Sequence, residues 1–372
     1  MKAGNDSNPP ANRRIGVLLC DDSALTRITL KKIIESTADL YVAGMARNGE
    51  EALIKARNLR PGVIVLDVEM PVMDGLTALK TISAEALAPV LMFSNLTVAG
   101  AHTTLEALEA GAYDFIAKPG GSVNLARFAE EIVRKIRSAA LSNPQVCREV
   151  PVSEDGIKAE RPRTDPPPTV VRPAIRASGL AFKTIVIGVS TGGPRTIFEV
   201  LPLLPADLKA AVILVQHMPP TFTSAFAQRL NNRTAMPCVE AEAGMLLEKG
   251  KIFVARGGFH LKLTKKTNRE ILLRTPSEPR HLFMPSVDIT MESVAEHFKG
   301  DSIAVLMTGM GWDGASGMFK INEQGGVTIV ESRETAVVFG MPQEALKRGC
   351  VQVVAPCWAI AKELLKAVED DY

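Results

Sequence analysis

The sequence predicts an α/β protein built from two doubly wound parallel-sheet domains. Three observations carry that expectation. Short runs rich in Val and Ile, of the kind buried on both faces of a parallel sheet, recur along the chain and alternate with helical spacing. A proline-rich stretch, 138–180, separates two such series. Within each series the polar residues with useful chemistry follow directly after the apolar runs, at the edge where open α/β sheets bind ligands. At 372 residues the chain has room for two or three domains, and two is the expectation.

The first series places strands at Ile15–Leu19, Tyr41–Ala43, Val63–Leu66, Val90–Phe93 and Tyr113–Ala117, each followed by a helix. Asn48-Gly49-Glu50-Glu51 opens the second helix with a good N-cap and an acid three residues later, and Ala52, Leu53 and Ala56 supply its apolar stripe. Asp21 and Asp22 follow strand one, Asp67 ends strand three, Ser94 ends strand four, and Lys118-Pro119 follows strand five. Acids at strand ends also serve as helix N-caps, and one acid alone would be read so. Three carboxylates at one edge resist joint ionisation unless a divalent cation or a lysine compensates, and oxygen ligands suit Mg²⁺. A carboxylate beside the metal and Lys118 is then placed to attack a phosphoryl donor, with the Ser94 hydroxyl among the groups that stabilise the phosphoryl oxygens.

The joint pattern Cys20-Asp21-Asp22-Ser23, Leu66-Asp67-Val68-Glu69-Met70-Pro71-Val72-Met73-Asp74-Gly75, Ser94 and Phe115-Ile116-Ala117-Lys118-Pro119 resembles the receiver domain of two-component response regulators. The resemblance covers 14–137 and implies a flavodoxin-like sheet. It also implies phosphorylation of Asp67 by a histidine kinase, with Asp21, Asp22, Asp67 and the backbone carbonyl of Glu69 around Mg²⁺. By the same resemblance Ser94, Phe115 and Lys118 are switch positions, and the Lys118–Pro119 bond is cis.

Composition removes several function classes. Hydrophobic residues make up 46% and charged residues 23%, and no apolar run is long enough to span a bilayer. The opening MKAGNDSNPPANRR lacks the apolar core of a signal peptide, so a disordered lead-in over 1–13 and a cytoplasmic protein are expected. A net charge of +2, with no helix or loop concentrating Lys and Arg, gives nucleic acid no footprint. The five cysteines are odd in number and scattered, which argues against disulfides and structural zinc. Between Ser138 and Leu180 seven prolines and mixed charge describe a semi-extended linker, too poor in large apolar side chains to fold.

The second domain is expected over 181–372. Thr184–Val189 is a buried parallel strand that ends on Ser190; Gly192 and Gly193 permit a tight turn, and Pro194 suits the first turn of a following helix. Gly188-Val189-Ser190-Thr191-Gly192 fits a G-x-S-x-G elbow, and taken alone it fits a phosphate-binding or merely turning glycine loop as well. Its partners decide. Ala211–Val215 is a second such strand followed by Gln216-His217, and Ile303–Thr308 a third, followed by a glycine-rich loop containing Asp313. Singly, His217 reads as a structural histidine and Asp313 as a helix cap. Together with Ser190, after three separate core strands, they supply a nucleophile, a base and an acid that fixes the base's tautomer. Of the five histidines only His217 follows a core strand.

Ile252–Ala255, His260–Leu263 and Ile271–Arg274 read as an antiparallel insertion beside the main sheet. Val327–Val330 and Val351–Val354 add strands, and Trp358–Val368 a closing helix. Met284, Met310 and Met341 are candidates to line a groove for a partner helix, although methionine also fills cores.

Gly188 to Gly193, Gln216-His217-Met218, Thr308-Gly309-Met310-Gly311-Trp312-Asp313-Gly314 and Gly340-Met341-Pro342 resemble the CheB-type chemotaxis methylesterase domain, a Rossmann-like fold. Receiver followed by methylesterase is that family's architecture. The resemblance implies Ser190 as nucleophile, His217 as general base and then acid, Asp313 as the orienting carboxylate, and backbone N–H groups near Thr191 and Met310 as oxyanion-hole candidates. It implies hydrolysis of glutamyl methyl esters on chemoreceptors, deamidation of particular glutamines, no cofactor for the esterase reaction, and a phosphodonor kinase. It further implies that the unphosphorylated receiver docks across the Ser190 cleft. Two other readings remain open: a receiver-regulated binding module with a non-catalytic second domain, and a general hydrolase of small esters.

Overall fold

The computed structural model describes residues 14–119, 125–142, 182–267 and 270–369. The expected lead-in over 1–13 and most of the expected linker lie outside the described residues. The chain divides into two compact units, Met1–Arg163 and Thr164–Tyr372, taken here one at a time.

In the first unit five strands, β1 (Ile15–Cys20), β2 (Leu40–Ala46), β3 (Val63–Asp67), β4 (Val90–Ser94) and β5 (Asp114–Ala117), form one parallel sheet in the order β2-β1-β3-β4-β5. Helices α1 (Ala24–Glu35), α2 (Gly49–Leu59), α3 (Gly75–Ala84), α4 (Val98–Glu109) and α5 (Leu125–Leu141) connect or cover the strands. The first four start on side-chain caps, as local sequence dictates: Ser23, Asn48, Asp74 and Thr97 each accept a backbone N–H from the first turn. Helix α5 buries Phe128, Ile132 and Ile136 at four-residue spacing against Val17, Leu19, Leu91 and Phe93. Ser138, Ala139 and Ala140 are buried too, so the helix continues past Arg137, where the linker was expected to begin.

In the second unit seven strands form a wholly parallel sheet in the order β14-β13-β12-β6-β7-β9-β8. They are β6 (Lys183–Val189), β7 (Ala210–Gln216), β8 (Cys238–Glu240), β9 (Ile252–Val254), β12 (Ser302–Leu306), β13 (Val327–Glu331) and β14 (Val353–Ala355). Strands β10 (Lys262–Lys265) and β11 (Ile271–Arg274) make a separate antiparallel pair. The expected antiparallel insertion is therefore half right. Strand β9 instead pairs parallel with β7 and β8, and its three residues are all buried, as suits a strand covered on both faces. Strand β10 alternates, as suits a strand covered on one.

Helices α6 (Gly193–Val200), α7 (Pro220–Asn231), α8 (Val287–Phe298), α9 (Ala315–Glu323), α10 (Met341–Lys347) and α11 (Cys357–Glu369) complete the unit. Phe253, Met291, Phe298 and Met318 are fully buried in its core, each side chain contributing roughly 1.5–3 kcal/mol. Strand β6, first in sequence, lies between β12 and β7. The chain order reverses there, and the crevice beyond the carboxyl ends of these strands is where such sheets place ligands.

Candidate functional site

Ser190, His217 and Asp313 leave the ends of the three adjacent central strands β6, β7 and β12, and the structure brings them together. Val189 pairs with Gln216, so the next residues, Ser190 and His217, emerge side by side, and the His217 N–H donates to Val189 O at 3.1 Å. Neighbouring strands are only about 4.8 Å apart. At that separation Nδ1, the ring nitrogen nearer the main chain, is the one that reaches Ser190 Oγ, at 3.1 Å. Nε2 points the other way and lies 2.8 Å from Asp313 Oδ2. An acceptor-only carboxylate at Nε2 keeps the proton there and leaves the Nδ1 lone pair facing the serine hydroxyl.

Asp313 is fully buried and does not cap its own helix, α9, whose N-cap is Gly314. It anchors α8 instead, accepting from Ser286 Oγ (2.8 Å), Val287 N (2.7 Å) and Asp288 N (3.1 Å). Burial alone would raise its pKa, but the bond and charge of His217 and the helix amides outweigh this and hold it below the ordinary carboxylate value. It stays an anion.

The serine loop is fixed from several sides. The Ser190 N–H donates to Thr308 O (3.0 Å), and Gln216 Nε2 donates to Ser190 O (3.0 Å). Thr308 Oγ1 donates to Thr191 O (2.8 Å) and accepts from Val338 N (2.9 Å), while Thr308 N donates to the buried Glu331 Oε2 (2.8 Å). Gly192 takes φ +79, and a Cβ there would stand 2.6 Å from Val337 Cβ, so the turn into α6 demands glycine. The main-chain N–H groups of Thr191 and Met310 make no hydrogen bond within the described residues.

Sequence reasoning missed Phe283, Gln216, Ser286 and Glu331. Phe283 lies face to face with the His217 imidazole, centroids 4.3 Å apart and planes 3° off parallel. Ser286 carried a signal that was available: a serine followed by Val287-Asp288 is an N-cap signature. Of the three methionines singled out in the sequence, Met341 is fully buried and packs close beneath Gly309, as a core filler does, whereas Met284 and Met310 are half-buried.

In the first unit the acids gather at the sheet edge as expected. Asp21, Asp22 and Asp67 each bring an oxygen within 4.8 Å of the others; Asp21 and Asp67 are buried and Asp22 exposed. Lys118 Nζ lies 2.7 Å from Asp67 Oδ2 and 3.1 Å from Asp21 Oδ2. Burial pushes the Asp67 carboxyl up to about 6, with Asp21 adding repulsion and Lys118 offsetting only part of it. Burial works against the Lys118 ammonium too, but the two carboxylates hold its pKa above the ordinary lysine value. Three carboxylates facing one lysine leave uncompensated negative charge, and Asp21 Oδ2, buried, makes no aligned hydrogen bond. That all-oxygen donor set fits a hard divalent cation such as Mg²⁺.

Glu69 N–H donates to Asp67 Oδ1 at 3.4 Å, and the Glu69 side chain accepts from Asn95. A Cβ on Gly75 would meet the Asp67 carbonyl oxygen at 1.9 Å, so α3 can start this close to the acid only on glycine. Ser94 is buried with its hydroxyl on Gly100 O (3.3 Å), turned to the first turn of α4 rather than to Asp67. Phe115 is buried as well, under Lys135. The Lys118–Pro119 bond is not cis, contrary to expectation: the cis bonds among the described residues are Glu278–Pro279 and Met284–Pro285. Trans is the commoner X-Pro isomer, and with it Lys118 already reaches both carboxylates.

Comparison with known proteins follows the same division. Residues 185–364 match the CheB methylesterase family and residues 17–130 the response regulator receiver domain. A Syntrophomonas wolfei protein named protein-glutamate methylesterase/protein-glutamine glutaminase 3 is 48% identical over 360 residues, covering 95% of this chain and 99% of its own. A Caldanaerobacter subterraneus protein, named protein-glutamate methylesterase/protein-glutamine glutaminase, is 46% identical over 365 residues, covering 96% of this chain and 98% of its own. The crystal structure of the Thermotoga maritima CheB methylesterase catalytic domain is 39% identical, covers 50% of this chain and 99% of that one, and gives a TM-score of 0.49. Among the described residues no helix is long and apolar enough to cross a membrane. Receiver pocket, serine site and near full-length similarity at 48% identity together place this chain in the CheB methylesterase family, in the form that carries a response regulator receiver domain.

Proposed function

We propose that this protein is a phosphorylation-activated protein-glutamate methylesterase and protein-glutamine glutaminase that acts on chemoreceptors in the cytoplasm. The continuous hydrogen-bonded line Ser190–His217–Asp313 carries the reading. Ser190 Oγ attacks the ester carbonyl while His217 Nδ1 takes its proton. The resulting tetrahedral oxyanion is received by the free N–H groups of Thr191 and Met310, and Asp313 stabilises the imidazolium. His217 returns the proton to the departing methoxide, methanol leaves, and water attacks the acyl-Ser190 ester by the same route in reverse roles. With a glutamine substrate the leaving group is ammonia, and the rest of the sequence is unchanged. The intact triad favours catalysis over a binding-only second domain.

In the receiver, Asp67 accepts a phosphoryl group from a histidine kinase. Asp21, Asp22, Asp67 and the Glu69 carbonyl would hold Mg²⁺, which when bound neutralises charge on the phosphoryl oxygens. Lys118 keeps the Asp67 carboxylate oriented, and Ser94 and Phe115 change position as the phosphoryl group is engaged. The unphosphorylated receiver covers the Ser190 cleft, and phosphorylation weakens that docking.

Methanol release from methylated receptor tests both halves, measured for wild type and Asp67→Asn with and without a small-molecule phosphodonor and Mg²⁺. Wild type is stimulated and Asp67→Asn stays at the basal rate; removal of residues 1–180 raises the basal rate. No methanol from wild type under any condition, with Asp67 still phosphorylated, establishes the binding-module reading instead. Turnover of a small chromogenic ester without turnover of receptor would point to a general esterase.

A further inference from the structure

The His217 imidazole is held at two points in its own plane, by Ser190 at Nδ1 and by Asp313 at Nε2. Two restraints at these nitrogens leave one motion open: the ring can tilt about the Nδ1–Nε2 axis. The only aromatic face stacked on the imidazole among the described residues is Phe283, at 4.3 Å and 3° from parallel. A parallel contact that close opposes tilt directly, because rotating either ring edge towards Phe283 brings it inside van der Waals separation.

Phe283 is itself braced. The Trp312 ring stands edge-on to it at 6.4 Å and 73°, and His281 lies against it at 6.3 Å. The segment that carries Phe283 is tied into the site at Ser286, whose hydroxyl donates to Asp313 and whose N–H donates to His260 Nδ1. His260 Nε2 in turn donates to Pro279 O at 2.8 Å. Asp313 thus fixes both the tautomer of the imidazole and the end of the loop that presses on its face.

We propose that Phe283 is a positioning residue for the ester hydrolysis, acting through His217 by holding the imidazole plane in which Nδ1 takes the proton from Ser190 and passes it to the leaving oxygen. The inference rests on His217 being the general base. A planar aromatic face, rather than apolar volume, is what the position supplies. It also keeps water from one face of the ring and places π density against the imidazolium that forms during turnover.

The test is a double-mutant cycle in the full-length protein, with methanol release from methylated receptor as readout. Phe283→Leu, similar in bulk but not planar, lowers kcat on the order of 10- to 100-fold with KM within about twofold, the range that ångström-scale misplacement of a catalytic group costs. Phe283→Tyr keeps the planar face and recovers at least tenfold of that loss. In a His217→Ala background Phe283→Leu causes no further fall, since the group it positions is gone. Melting temperature and KM of each variant report on fold and substrate binding. The inference is overturned if Phe283→Leu leaves kcat within threefold of wild type, if Phe283→Tyr is as slow as Phe283→Leu, or if the losses multiply in the His217→Ala background. Failure of the base assignment looks different: His217→Ala would itself retain wild-type turnover.

Discussion

Replacing Asp313 by asparagine separates the charge of the acid proposed to orient His217 from its shape. Oδ2 of Asp313 receives His217 Nε2–H at 2.8 Å and Val287 N–H at 2.7 Å, while Oδ1 receives Ser286 Oγ at 2.8 Å and Asp288 N–H at 3.1 Å. An amide can keep its oxygen on the His217 and Val287 side only by turning its NH₂ towards Ser286 and Asp288. The Ser286 hydroxyl can reverse and accept; the Asp288 N–H cannot. One charge-assisted hydrogen bond is lost, a cost of about 1.5–3 kcal/mol in stability, and the imidazole stays in place without an anion to balance its positive form. Replacing the acid of a serine-protease triad by asparagine lowers turnover about 10⁴-fold, equivalent to about 5 kcal/mol of transition-state stabilisation. The expected result for Asp313→Asn is therefore a fall in kcat of about 10³- to 10⁴-fold with little change in KM, measured as initial rates of methanol release, and a lowered but cooperative thermal transition. A kcat within tenfold of wild type would refute the role given to Asp313.

Two further outcomes follow from strained or buried groups. Val72 holds φ +69 although β-branched, and its side chain is 77% exposed, so it gains little burial in return; Val72→Asn should raise the receiver's unfolding free energy by on the order of 1 kcal/mol, seen as a receiver transition a few degrees higher by calorimetry, and an unchanged or lower transition would contradict this. Asp288 has its pKa raised to about 6 by burial, with the Asp313 charge adding to it against bonds from Gly317 and Gly314. The folded state therefore holds this proton more tightly than the unfolded chain, so stability from this group is full below about pH 4 and is lost as pH rises through 6. Asp288→Asn, whose amide oxygen can still accept from Gly317 N, should become progressively more stable than wild type between pH 5 and pH 7 in urea melts; a difference that does not depend on pH would exclude the titration.

What the sequence disclosed and what it concealed divide along physical lines. The parallel strands were legible because Thr184–Val189, Ala211–Val215 and Ile303–Thr308 are short apolar runs rich in Val and Ile, and residues placed straight after such strands, or in the loops they lead into, share one edge by topology. Ser190, His217 and Asp313 were therefore found together, as were Asp21, Asp67 and Lys118. The fate of Ile252–Val254 was not legible: three residues carry no periodicity, and only pairing with β7 decides between parallel and antiparallel. Phe283 and Gln216 were missed because what matters is the approach of one loop or side chain to another across the fold, which spacing does not encode. Met341 illustrates the converse, a residue with an appealing surface reading that packing sends into the core. Ser94 was placed correctly at its strand end, but its hydroxyl direction depends on the Gly100 carbonyl of α4.

The most direct measurement is methanol release from the same methylated chemoreceptor by wild type and by Ser190→Ala, with phosphodonor and Mg²⁺ present throughout. Wild type releases methanol steadily and Ser190→Ala none above the buffer background, with ammonia release from receptor glutamines lost in parallel. Release by Ser190→Ala within a few-fold of wild type would rule out Ser190 as the nucleophile, because another group would then be opening the ester.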